Sequence, residues 1–303
     1  MAEGARTLRR LLARPDVVRL IGAHDALGAK MAERAGFQGV WASGFEIAAS
    51  YAVPDASIVT LTEHLAAARA MSQAACLPVV ADCDTGYGEA LQFSYAVRQF
   101  EAAGVAGVCI EDKLFPKINS FAQGSQELLP VGDFVAKLRA GQEARRDPDF
   151  VIIARVEALI AGCGLGETLA RARAYADAGA DAVLVHSKAA DVSEIAAVAC
   201  AWDRPVPLVA VPTTYYRVSA QELGSLGIKV VIYANHGLRA ALKAMEETYA
   251  EILRSGSTAT VESRLWPMKT IFGLQGVTPA SVAPAAVPAW QEPLLVAAGG
   301  AEP

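Results

Sequence analysis

The chain has no run of 18 or more apolar residues, so no helix is expected to cross a bilayer. It has no block of lysine and arginine, and its net charge is −5, which argues against nucleic acid as a partner. The five cysteines, at 76, 83, 109, 163 and 200, stand singly without C-x-x-C spacing. That pattern speaks against a disulfide or zinc framework and fits reduced thiols in a cytoplasmic protein. Neither G-x-G-x-x-G nor G-x-x-x-x-G-K-[ST] follows the first apolar run, which argues against a dinucleotide fold or a P-loop. The start, Met1-Ala2-Glu3-Gly4-Ala5-Arg6, lacks the apolar region of a secretory signal. Charged residues are only 19% and hydrophobic residues 53%, so a large core is expected.

What is present is a repeated unit. A helical segment ends at glycine and a short apolar run follows. The stops are Gly36, Gly104, Gly179 and Gly227, before Gly39–Trp41, Val108–Ile110, Ala182–Val185 and Val230–Tyr233. Glycine ends a helix by taking the left-handed conformation at low cost. A strand with both faces apolar belongs in a parallel sheet. Val18–Ile21, Pro78–Ala81, Val151–Ala154 and Leu208–Val211 complete eight such runs in 303 residues. Eight βα units predict an α/β fold, a (β/α)₈ TIM-type barrel. Residues 1–275 are read as one barrel domain with an N-terminal helix around Thr7–Leu12. Residues 276–303 form an Ala/Pro-rich tail, expected to be mobile.

In such barrels catalytic groups sit at the C-terminal ends of strands, and here those ends are polar. They carry Ser43, Asp82 and Asp84, Glu111 to Lys113, Arg155 and Glu157, His186, Thr213 and Thr214, and Asn235 with His236. Asp82, Asp84 and Glu111 on adjacent ends suit a hard cation, most simply Mg²⁺. The alternative for the aspartates is helix capping. Arg155 and His186 together suit an oxyanion, although each alone could be a structural partner, Arg155 to Glu157 in particular. His24 and His236 are assigned structural roles, and His64, in a helical pattern, a surface position.

The stretch Glu111-Asp112-Lys113-Leu114-Phe115-Pro116-Lys117-Ile118-Asn119-Ser120 resembles the signature loop of phosphoenolpyruvate mutases, in the isocitrate lyase/phosphoenolpyruvate mutase superfamily. Trp41–Phe45, Asp82–Gly86, Ala154–Glu157, His186–Lys188, Val211–Tyr216 and Ala234–His236 carry the same likeness, over roughly residues 8–275. The resemblance implies a barrel whose last helix is exchanged between subunits of a homo-oligomer, a dimer or tetramer. It implies that Asp82 holds Mg²⁺ directly, with Asp84 and Glu111 acting through water. Trp41, Ser43 and Gly44 would hold the carboxylate and carbonyl end of the substrate. Asp55 would be the catalytic aspartate, and Lys117, Asn119 and Ser120 would belong to a gating loop whose Asn contacts the phosphoryl group. Arg155 and His186 would be the remaining phosphoryl ligands.

The expected reaction is interconversion of phosphoenolpyruvate and phosphonopyruvate, as in phosphonate biosynthesis. Phosphonopyruvate hydrolase is a similar relative, with Thr where this loop has Asn119, while residues 44–56 look closer to the hydrolase. The Lys-Lys-Cys-Gly-His loop of isocitrate lyase-type enzymes is absent, which leaves a C–C lyase or 2-oxo acid hydrolase as a further alternative. A barrel that only binds a phosphorylated metabolite is the non-enzymatic one.

Overall fold

The computed structural model describes residues 3–276. The tail assigned to 276–303 lies outside them except for its first residue. The chain divides into two compact units at Ala244 and Met245. The first contains β1 (Val18–Ala23), β2 (Gly39–Ala42), β3 (Val79–Asp82), β4 (Gly107–Glu111), β5 (Val151–Val156), β6 (Ala182–Val185), β7 (Leu208–Ala210) and β8 (Ile228–Tyr233). They form a closed parallel barrel in sequence order, β8 pairing back on β1. All eight predicted strands are present.

The helix stops behave as the sequence requires. Gly36, Gly104, Gly179 and Gly227 have φ of 84°, 82°, 98° and 97°. Inside the barrel, Leu20, Trp41, Val80, Cys109, Ile153, Leu184, Val209 and Ile232 pack together. Their neighbours along each strand, such as Val40, Val79 and Val108, face the surrounding helices. This two-sided burial is why the strands read as unbroken apolar runs. The N-terminal helix runs Glu3–Ala13, longer than its predicted span, and sends Leu8 into the inner cluster, closing that end of the barrel. Arg9 fastens it with a 2.7 Å ion pair to Asp181.

Tight packing also reaches the loop after β3. Phe93, from the helix Ala90–Ala102, lies where a Cβ on Gly86 would come within 3.1 Å of its ring and one on Gly141 within 2.4 Å. A helix, His236–Ser255, begins in the first unit and ends in the second. The second unit continues with a 3₁₀ turn, Glu262–Arg264, and a helix, Met268–Leu274.

One histidine departs from expectation. His64 is 2% exposed, not at the surface. Its Nδ1 lies 2.8 Å from the Tyr87 hydroxyl, and its ring meets Tyr87 edge-on. The helical pattern was read correctly, but the partner is on a distant loop and leaves no local signal.

Candidate active site

Strand ends and one loop enclose a cavity of about 190 Å³ at the C-terminal mouth. Trp41, Ser43, Asp55, Asp82, Lys117, Asn119, Ser120, Arg155 and His186 all line it. Gly44, Asp84 and Glu111 stand directly behind that lining. The sequence-predicted residues are therefore assembled in one place.

The loop after β3 is shaped by its own chemistry. Asp84 adopts a left-handed φ of 51°, which Asp tolerates better than most residues. Its carbonyl accepts from Glu111 N at 2.8 Å, tying the ends of β3 and β4 together. Ser43 caps the helix Gly44–Ser50 by accepting from Glu46 N. Gly44 lies so close to the carboxylates that a Cβ would sit 3.1 Å from Asp84 Oδ1 and 3.4 Å from Asp82 Oδ2. Gly44→Ala is therefore expected to displace those carboxylates by a few tenths of an ångström. Turnover should fall about tenfold with folding intact, checked by kcat/KM across a Mg²⁺ titration.

The carboxylates fit a hard cation. Asp82, Asp84 and Glu111 are all under 10% exposed. Burial raises the Asp82 pKa to about 6, and the neighbouring Asp84 and Glu111 add to it, although Lys117 and Arg155 pull the other way. Burial likewise raises Asp84. Glu111 Oε1 is buried without a hydrogen-bond partner. Buried, mutually repelling carboxylates are what a divalent cation would relieve, although Glu111 Oε1 also lies 3.8 Å from Lys113 Nζ. Among the described residues no group of three or more His, Cys, Asp or Glu side chains is already arranged to hold a metal ion.

Lys117 lies over this cluster. Its ammonium is 2.8 Å from both Asp55 Oδ1 and Asp84 Oδ1, and the residue is 4% exposed. Burial opposes its charge, but Asp84, Glu111, Asp55 and Asp82 outweigh burial and hold its pKa well above the usual lysine range. Asn119 Nδ2 donates to Asp55 Oδ2 at 2.7 Å. Burial would raise Asp55, yet Lys117 and Asn119 prevail, and its pKa is lowered. Asp55 is thus ionised at neutral pH. The loop 113–120 lies over the cavity, with Lys113, Lys117 and Ser120 all buried.

Opposite stand Arg155 and His186. Arg155 Nη2 lies 3.3 Å from Glu111 Oε2 and 2.9 Å from His186 Nδ1. Burial lowers the His186 pKa, with Glu157 opposing. Both Arg155 and His186 contact Glu157, which is wholly buried. The expected ion pair of Arg155 with Glu157 and its place in the cavity wall are therefore both present.

Reasoning from sequence missed several wall residues. Lys113, Thr213 and Asn235 line the cavity and were visible as polar strand ends, but nothing distinguished them there. Phe45, Phe121, Val211 and Ala234 give the wall its apolar part, and single apolar residues carry no signal.

Comparison with known proteins bears on this geometry. Residues 8–253 match the family model described as phosphoenolpyruvate phosphomutase. The chain is 47% identical over 258 residues to phosphonopyruvate hydrolase of Variovorax sp. (strain Pal2), covering 84% of this chain and 89% of that one. It is similar to the crystal structure of phosphoenolpyruvate phosphomutase from Streptomyces platensis subsp. rosaceus, with TM-score 0.89 and 53% identity, covering 90% and 95%. It also matches a phosphonopyruvate hydrolase complex with oxalate and Mg²⁺, with TM-score 0.86 and 44% identity, covering 90% and 95%.

Proposed function

The chain belongs to the phosphoenolpyruvate phosphomutase family, and from that premise we propose that it is a mutase interconverting phosphoenolpyruvate and phosphonopyruvate, with Mg²⁺ as cofactor. The observation that carries this reading is the closed loop. Asn119 reaches Asp55 across a cavity that also holds Arg155 and His186.

Asp82 would hold the ion, with Asp84 and Glu111 acting through water. Bound there, Mg²⁺ would supply Lewis-acid stabilisation of the substrate's pyruvoyl oxygens. Trp41, Ser43 and Gly44 position the carboxylate end. Ser43 Oγ accepts from Glu46 N and keeps its own hydrogen to donate. Arg155 and His186 place fixed charge and donors where the phosphoryl group passes from oxygen to carbon. Asp55, ionised between Lys117 and Asn119, faces the same group. The closed loop excludes water, which would divert the reaction to pyruvate and phosphate.

A second reading, phosphonopyruvate hydrolase, is favoured by the 47% identity to that enzyme and by the likeness of residues 44–56. The test is ³¹P NMR of the purified protein with phosphonopyruvate and Mg²⁺. Phosphoenolpyruvate as the main product supports the mutase, and phosphate as the main product supports the hydrolase.

The enzyme is further proposed to work as a homo-oligomer that exchanges the helix His236–Ser255. Leu242, Met245, Tyr249 and Leu253 form one stripe on that helix and are 40–87% exposed. Leu253→Glu should shift the protein to a smaller species in light scattering. An unchanged mass would remove this stripe from the assembly.

A further inference from the structure

Glu157 is 0% exposed and binds four groups at once. Oε1 receives Arg155 Nε and lies 2.8 Å from His186 Nδ1. Oε2 accepts from Ser120 Oγ at 2.7 Å and lies 3.3 Å from Lys113 Nζ. All four partners line the cavity, Arg155 and His186 from the strand ends. The other two belong to the closed loop and its root.

The loop partners also hold each other. Lys113 Nζ donates to Ser120 Oγ at 2.7 Å and to Ile118 O at 2.9 Å, clamping the returning limb of the loop onto the end of β4. The Ser120 hydroxyl accepts from Lys113, approaches Arg155 Nη2 at 3.3 Å and spends its hydrogen on Glu157. Behind Glu157, its own backbone N–H donates to Asp112 Oδ1 at 2.8 Å. Asp112 is in turn held by Arg171 and, at 2.7 Å, by the Tyr175 hydroxyl. The backbone of Glu157 is therefore held through Asp112 by the helix Gly164–Asp177, while its carboxylate is bonded to both the loop and the clamp.

We propose that Glu157 is a positioning residue that acts as a catch: closing the loop seats Ser120 and Lys113 on one of its oxygens, while its other oxygen aligns Arg155 and His186. Loop closure and clamp alignment are then one event. His186 Nδ1 stands between Glu157 Oε1 at 2.8 Å and Arg155 Nη2 at 2.9 Å, which leaves Nε2 for the cavity. An open loop removes two donors from Glu157 and frees it to shift with Arg155. The clamp is complete only when water has been shut out. This proposal rests on the reading of the cavity as a phosphoryl-transfer site.

The test uses the full chain with Mg²⁺ and two variants, Ser120→Ala and Glu157→Gln. Brief trypsin treatment reads loop opening through cleavage after Lys113 and Lys117, both buried in the closed loop. Ser120→Ala should be cleaved there about tenfold faster than wild type, the size of effect expected for one lost hydrogen bond to a charged group. Its melting temperature should be unchanged within a few degrees. Glu157→Gln should lower kcat by about tenfold to a hundredfold. Adding Ser120→Ala to it should cost much less than in the wild-type background, because both remove the same contact. Wild-type cleavage rates in Ser120→Ala, or effects on kcat that simply multiply, would overturn the catch. Should Glu157→Gln fail to fold, the Ser120→Ala cleavage ratio still decides. Products are measured separately. If wild type yields mainly pyruvate and phosphate, the mutase reading fails while the cleavage rates still judge the catch.

Discussion

Asp82→Ala will lose turnover by about 10³-fold or more, the scale of several kcal/mol of Lewis-acid stabilisation, and will not melt earlier than wild type in the absence of metal. The two halves have one cause. Asp82 is buried beside Asp84 and Glu111, and its pKa is raised to about 6. A raised carboxyl pKa means that the folded protein binds the proton more tightly than the unfolded chain. Its stabilising contribution is present at acid pH and is lost as pH rises from about 4 through 6. Above that the ionised carboxylate is a cost in the absence of a bound cation. Alanine removes the cost, and Arg155 keeps Glu111 and Glu157 as partners. Chelation of wild type should match the variant in activity, with Mg²⁺ restoring only wild type. Calorimetric melting at pH 8 and turnover with and without chelator check both halves. Full activity in excess chelator, or a large fall in melting temperature, would defeat the argument.

Asn119→Ala will cut turnover by about 10²-fold or more, the loss expected when one preorganised donor is removed. In the closed loop its Nδ2 lies 2.7 Å from Asp55 Oδ2 while its Oδ1 accepts from Phe121 N at 3.0 Å. The amide is thus held at both ends over the cavity. Alanine loses the donor at Asp55 and frees the backbone that Asn119 Oδ1 had fixed. A mutase needs its phosphoryl group held while the other nucleophilic atom of the substrate comes into line, so the loss should fall mainly on kcat. With less water excluded, the share of pyruvate among the products should rise. Parallel ³¹P NMR and pyruvate assays read both. Wild-type turnover in the variant would refute the role of the loop whichever products form.

The barrel was legible because its signals are local and repeated. A left-handed glycine followed by a doubly apolar strand needs no knowledge of the partner strand, and all four glycines at such stops have positive φ. Asp82, Arg155 and His186 could be placed because a strand end in this fold points to the mouth. Glu157 and Lys113 sat at the same ends, but their meaning lies in contacts 29 to 44 residues away in the chain, as with His186 and Lys113 to Glu157. His64 was misplaced for the same reason, since Tyr87 meets it from another element. Phe45 and Phe121 offered no polarity to read, and only the folded chain turns them toward the cavity.

The charge around the mouth fixes an order of events. Five carboxylates, the half-buried Asp55 and the buried Asp82, Asp84, Glu111 and Glu157, face three cations, the buried Lys113 and Lys117 and the half-buried Arg155. A phosphorylated carboxylate arriving alone meets an excess of like charge, which opening the loop makes larger by withdrawing Lys117. Such an anion gains a foothold only after a divalent cation has been taken up. Substrate association should therefore follow a compulsory sequence, in which the apparent KM for substrate falls as Mg²⁺ rises while the maximal rate stays the same. Raising ionic strength should weaken the repulsion that the metal-free protein presents to the substrate and have little effect on capture once the excess negative charge has been neutralised.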